Sequence, residues 1–223
     1  MYALNVWQKT EKNPDEFIIN ASETRGSDSE VPFPIGLCFY WYKFSETSLV
    51  KDHSKTVLLA IKTFTDEKRR SKLSVNRNII VSNLEKNGIK NINLEPYDYF
   101  REIGNYKFVI SPEGNGSDCH RHYEALMFGC IPIIEKNERI AEKYAGCPIL
   151  WTYDYSEITV DYLERKYAEM IDKVYDFSRL FLSYYNSELQ KKIKENSEFW
   201  KENFKAKTKS IPKLINGRFQ FSS

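Results

Sequence analysis

The residues whose types and spacing could do chemistry lie between 106 and 134, in the stretch YKFVISPEGNGSDCHRHYEALMFGCIPII. Its order is a strand, a glycine-rich loop, a helix and a second strand. Gly114 and Gly116 let the backbone turn sharply and approach a ligand closely, and the helix behind them offers free N–H groups and a positive dipole end. Such a place binds phosphate. Asp118 is suited to cap that helix, which would turn Cys119, Tyr123, Leu126 and Met127 inward and set Arg121 and Glu124 on another face. A guanidinium in the first turn can grip a diphosphate with its planar fork of donors, and a carboxylate one turn deeper can accept both hydroxyls of a ribose. With the Gly114-Asn115-Gly116 loop, the pair describes a cradle for a nucleoside diphosphate. An Arg and a Glu at this spacing also make an ordinary ion pair on a solvated face behind an Asn-Gly turn, and taken alone they favour that reading.

Cys119, His120 and His122 suggest a metal at first sight, but residues two apart on a helix point to different sides, so no metal site is expected. His120 reads instead as a donor to phosphate or sugar. Other nucleotide chemistries lack their motifs. The dinucleotide fingerprint GxGxxG requires a glycine where Cys119 stands, GxxxxGK[ST] does not occur, and no Asp-x-Asp pair is present for a metal-dependent transferase.

The elements that must position these residues follow one rhythm from 55 to 154, a short apolar run, a helix-forming stretch and another apolar run, which is the signature of an α/β fold. Strands are expected at 56–61, 89–94, 106–110, 130–134 and 147–151, several apolar without alternation, as in a parallel sheet covered on both faces. Helices are expected at 66–86, 97–103, 118–128 and 138–144, with Gly88, Gly104, Gly129 and Gly146 as left-handed caps. Beyond them the pattern turns helical: Leu163, Tyr167, Met170, Ile171 and Val174 share one face, and Leu189, Ile193, Trp200 and Phe204 another. These stripes read as packing. The fold class is thus α/β, a Rossmann-like parallel sheet flanked by helices, with a C-terminal helical extension. Residues 1–55 read as an extension or linker, 56–204 as the sheet domain with its helices, and 205–223 as an irregular tail.

With 223 residues, 41% hydrophobic and 29% charged, the chain has the material for a real core, and disordered, collagen-like and coiled-coil readings fall away. Thirty-three basic residues against 31 acidic ones give a charge of +2, which argues against broad nucleic-acid binding. No apolar run approaches the roughly 18 residues that span a bilayer, and residues 1–7 carry no secretory pattern, so a soluble, unsecreted protein is expected. Four scattered cysteines without a CxxC pair read as reduced thiols, which fits the cytoplasm of a cell or of a virus-infected host cell.

The whole string Ser111-Pro112-Glu113-Gly114-Asn115-Gly116-Ser117-Asp118-Cys119-His120-Arg121, with Tyr123-Glu124-Ala125-Leu126 and Gly129-Cys130-Ile131-Pro132 after it, closely resembles the exostosin-like glycosyltransferases. Their signature there reads approximately S-P-x-G-N-G-x-D-x-H-R-x-(W/Y)-E-A-L, then G-x-I-P. The match spans about thirty residues, the histidine–arginine pair included. More distantly, the E-A-L and G-x-x-P ending is similar to fucosyltransferase-type enzymes of the same GT-B architecture. The resemblance implies the C-terminal, donor-binding domain of a sugar transferase that takes a nucleotide-diphosphate sugar, a UDP-sugar ahead of a GDP-sugar, with no metal and no further cofactor. Arg121 would then hold the diphosphate, Glu124 the ribose, and the Gly114-Asn115-Gly116 loop the phosphate or sugar. A basic residue just past the first strand often meets the donor phosphates in such enzymes, and in the cluster Lys68-Arg69-Arg70 with Lys72 either arginine could serve, with Arg70 the one taken here; a solvated helix face explains the cluster equally well. Tyr97 could flank the base, or be an ordinary loop tyrosine. The acceptor would be a glycan or another molecule. In two-domain relatives the acceptor and often the catalytic base sit on an N-terminal domain, for which residues 1–55 are short. Glu23, Asp28 and Glu30 are acids available there, and none is singled out as base. Two functions stay open: a transferase, or a non-catalytic nucleotide-sugar-binding subunit whose partner supplies the acceptor domain.

Overall fold

The computed structural model describes residues 1–12, 17–18, 33–38, 49, 51–62, 76–114, 116–208, 213–215 and 218–220. The chain opens with β1 (Tyr2–Ala3) and α1 (Leu4–Lys9). The centre of the fold is a parallel sheet of β2 (Lys55–Leu58), β3 (Tyr106–Ile110), β4 (Ile131–Glu135) and β5 (Leu150–Thr152), neighbours in that order. Every residue of β4 is buried, Pro132 and Glu135 included, as a strand covered on both faces requires. The expected α/β architecture is therefore present, a four-stranded parallel sheet flanked by helices.

The helices between the strands are α2 (Arg77–Lys86), α3 (Pro96–Glu102) with a 3-10 turn at Ile103–Asn105, α4 (His120–Met127), and α5 (Glu138–Ala141) with a 3-10 turn at Glu142–Tyr144. Asn76 caps α2, its side chain accepting from the Asn78 N–H at 2.7 Å, and Pro96 starts α3 where a missing N–H costs nothing. Of the helix expected at 66–86, residues 66–75 lie outside the described residues. α3 and α4 pack side by side through Phe100 and Phe128, and α4 meets the following 3-10 turn through Tyr123 and Tyr144.

The strand expected at 89–94 does not form. The Ile92 N–H reaches the Leu59 carbonyl at 3.0 Å, but the Asn91 side chain replaces the next rungs, accepting from the Ile61 N–H and donating to the Ile61 carbonyl, both at 3.0 Å. An asparagine amide imitates a peptide group, so it docks the segment without a backbone ladder. In a parallel ladder, successive residues turn their peptide groups to opposite neighbours, and Leu59 turns its carbonyl away from β3. Residues 91–92 thus lie on the far side of β2, and the chain turns back past β2 to form β3. At such a reversal, open α/β sheets leave a crevice at the carboxyl ends of their strands.

Beyond β5 come α6 (Val160–Met170), capped by Thr159, then β6 (Val174–Tyr175), which pairs antiparallel with β1. Val174, expected on a buried helical face, is exposed in β6. Two 3-10 turns, Ser178–Leu180 and Leu182–Tyr184, lead to α7 (Ser187–Thr208). The tail is more regular than expected: α7 runs on to Thr208, and β7 (Lys213–Ile215) pairs antiparallel with β8 (Arg218–Gln220). The side chains of Trp200, Phe204 and Phe219 lie outside the described residues.

The early residues are part of the main core. Leu4, Trp7, Phe17, Ile35 and Leu37 pack in one cluster with the sheet residues Leu58, Phe108, Val109 and Ile133. The Trp7 indole stacks on Phe177, ring centres 3.9 Å apart, and donates to the Leu126 carbonyl at 2.8 Å. Gln8 donates to the Gly129 carbonyl at 3.0 Å. Gly88, Gly129 and Gly146 take the positive φ expected of helix caps, whereas Gly104 stands inside a 3-10 turn, close against Lys51 and Phe128.

Candidate functional site

The 111–119 loop joins the carboxyl end of β3 to α4. α4 opens at Cys119, not at Asp118: Cys119 is extended and its side chain makes no cap bond to the helix. The Cys119 thiol serves the loop instead, accepting from the Gly114 N–H at 3.1 Å and donating to the Gly116 carbonyl at 3.2 Å. Burial pushes that thiol well above its ordinary value, so it stays protonated and able to donate. Gly114 also donates to the Gly116 carbonyl at 3.0 Å. The two glycines thus close a tight turn, and Asn115 between them lies outside the described residues.

Asp118 turns into the core, where it is 1% exposed. Its Oδ1 accepts from the Tyr123 hydroxyl at 2.7 Å and the Tyr144 hydroxyl at 2.5 Å; its Oδ2 accepts from the Ile35 N–H and from Lys143, both at 3.1 Å. These donors satisfy the buried carboxyl group, which would be costly to bury unpaired, and explain why it leaves the cap position. His122 is fully buried, its Nδ1 2.7 Å from the Ser111 hydroxyl and its Nε2 3.3 Å from the Ser117 carbonyl. A carbonyl only accepts, so Nε2 carries the proton and Ser111 donates to Nδ1. Burial lowers the His122 pKa to about 4, so the ring is a neutral brace between the two ends of the loop.

His120 is used similarly. Its Nδ1 donates to the Gly36 carbonyl at 2.8 Å, and burial lowers its pKa. The neutral ring in this tautomer keeps Nε2 as an acceptor. The segment around Pro34, expected as a connection, therefore straps the start of α4 through Ile35 and Gly36. Gly36 has a φ of +66°, and a Cβ there would fall 1.6 Å from the Ile18 carbonyl oxygen.

Arg121 and Glu124, three residues apart on α4, both lie near Tyr99, a residue that spacing did not single out. The Arg121 guanidinium lies 5.3 Å from the centre of the Tyr99 ring, which α3 presents from below. Glu124 is 7% exposed, and burial pushes its pKa up to about 7, opposed by the nearby Arg121 charge and the Tyr99 hydroxyl. That hydroxyl is buried and makes no hydrogen bond of good geometry. Tyr97 stands two residues away on α3, is 47% exposed, and lies under Arg101, 4.5 Å from ring centre to guanidinium. Two residues turn a helix by more than half a revolution, which is why Tyr99 faces α4 and Tyr97 does not.

Arg70 lies outside the described residues. Arg77, in the first turn of α2, reaches the loop: its guanidinium donates to the Glu113 carbonyl at 2.9 Å and to the Lys62 carbonyl at 3.2 Å. The signal available in the sequence was an Asn-Arg pair at a helix start. Glu113 is 4% exposed; its N–H donates to Glu135 at 3.1 Å, its Oε1 accepts from Asn137 at 3.1 Å, and its Oε2 has no donor. Tyr155 donates to the same Glu135 oxygen at 3.0 Å. Among the described residues no group of three or more His, Cys, Asp or Glu is gathered as a metal ion would need. A cavity of about 270 Å³ opens between α5 and β5, lined in part by Asn137, Tyr144 and Trp151, apart from Arg121 and Glu124. No helix among the described residues is long and apolar enough to cross a membrane.

No protein-family model matches the chain, and no curated protein matches it.

Proposed function

We propose that this chain binds a nucleotide-diphosphate sugar, a UDP-sugar ahead of a GDP-sugar, and transfers the sugar to a glycan or other acceptor. It would be a metal-independent glycosyltransferase whose sheet domain is the donor-binding half of a GT-B enzyme. The observation that carries the reading is the placing of Arg121 and Glu124 on α4, both near Tyr99 and behind a glycine turn at the carboxyl end of β3. In that reading the diphosphate lies on the Gly114–Gly116 turn and the opening N–H groups of α4, the ribose hydroxyls bond Glu124, and Arg121 with the helix dipole offsets charge on the departing diphosphate. Arg77, which bonds the same loop, would be a basic residue available to the donor phosphates. The free cysteines Cys38, Cys119, Cys130 and Cys147 favour work in a reducing compartment such as the cytoplasm.

One observation favours binding without transfer: the groups nearest the loop, His120, His122, Cys119 and Arg77, are already engaged with backbone partners. No base is assigned. Calorimetric titration with UDP and GDP tests the donor site, and Arg121→Ala is expected to weaken UDP roughly tenfold or more, the loss of a charge-assisted contact. Binding of neither nucleotide, or binding indifferent to Arg121, removes the reading. Donor hydrolysis or transfer by the chain then separates a transferase from a binding subunit.

A further inference from the structure

We infer that Tyr99 is the positioning residue of the nucleotide cradle, holding the Arg121 guanidinium over its ring and steadying the ionised carboxylate of Glu124 with its hydroxyl. The inference rests on the nucleotide reading and adds to it a residue and a pH dependence. Three observations converge. The guanidinium sits 5.3 Å from the ring centre, within the range of a cation–π contact. The ring is 8% exposed and its hydroxyl, buried, has no hydrogen bond of good geometry, so its dipole is unspent. Glu124 stands one turn further along the helix that carries Arg121, and its charge acts on that hydroxyl.

Among the described residues, the groups that act on Glu124 are Arg121 on its own helix and Tyr99 on α3, with the Cys130 thiol near Tyr99 just before β4. Burial favours the protonated carboxyl, while Arg121 and the Tyr99 hydroxyl favour the charged one. A ribose diol needs an acceptor. Only the ionised Glu124 offers both oxygens as acceptors, so the cradle works above the carboxyl's titration and fails below it. Removing the Tyr99 hydroxyl takes away one of the two groups that favour the charge. Removing the ring takes away the platform under Arg121.

Two measurements test this on the full chain. In the first, without nucleotide, the Glu124 carboxyl is titrated by NMR with carbon-13-labelled glutamate. The midpoint is expected near neutrality in the wild type and higher by roughly half a pH unit or more in Tyr99→Phe. In the second, UDP is titrated calorimetrically from pH 5.5 to 8.5. Affinity is expected to fall roughly tenfold toward the acid end, with the midpoint displaced upward in Tyr99→Phe, while Tyr99→Leu weakens UDP roughly threefold at every pH. Superimposable wild-type and Tyr99→Phe curves in the first measurement overturn the inference. So does UDP binding that ignores pH, and the nucleotide reading then stands. A Glu124 midpoint that moves in Tyr99→Phe, in a chain that binds UDP at no pH, keeps the Tyr99–Glu124 coupling and overturns the nucleotide reading.

Discussion

His122 and Glu124 sit two residues apart on α4, and burial shifts each toward its neutral form. For His122 the folded value of about 4 lies below the ordinary 6.5, so the folded state holds fewer protons in that window and stability rises with pH from about 4 to 6.5. For Glu124 the folded value of about 7 lies above 4.5, so the folded state holds more protons and stability falls as pH rises from about 4.5 to 7. The two slopes oppose each other between 4.5 and 6.5 and each is worth about 2 kcal/mol there. Glu124→Gln removes one of them. Its stability relative to the wild type is expected to grow by about 2 kcal/mol from pH 4.5 to 6.5, measured by urea unfolding at each pH. A constant difference between the two proteins across that range would mean that Glu124 is not held in its neutral form.

The elements were legible in the sequence where one local rule decided them. The β3–loop–α4–β4 unit follows from apolar runs around a glycine pair, and the parallel sheet from strands without alternation. The expectation failed where side chains compete with backbone. Asn91 takes the rungs that would have made 89–94 a strand, and Asp118 leaves the cap for donors that come from residues 35, 143 and 144, which local spacing does not reveal. Tyr99 was hidden for a similar reason, since its value lies in facing another helix. The strap at Ile35–Gly36 belongs to this level too. A Cβ on Gly36 meets the Ile18 carbonyl and forces a left-handed φ on a residue that resists it. Gly36→Ala is expected to cost at least about 2 kcal/mol in denaturant unfolding and to release His120 from its carbonyl partner. An unchanged midpoint would show that the strap does not bear on α4.

Across the whole molecule, α4 is held at both ends by residues from the first 37. Ile35 and Gly36 bind its start through Asp118 and His120, and Trp7 and Gln8 bind its finish at Leu126 and Gly129. The rhythm of apolar runs placed a boundary near residue 55, and contacts that cross it carry no local signature, so the dependence was invisible in the sequence. Removing residues 1–37 is expected to abolish cooperative unfolding of the remainder, read by calorimetry, even though the sheet residues are all retained. A cooperative transition near the parent's temperature would refute that. The Trp7 bond spans 119 positions and the Gln8 bond 121, so the cradle helix is fixed only when the two halves of the chain have found each other. Closing so long a loop is slow, which makes assembly of the proposed ligand site a late event in folding and leaves it the last region to become competent as the protein matures.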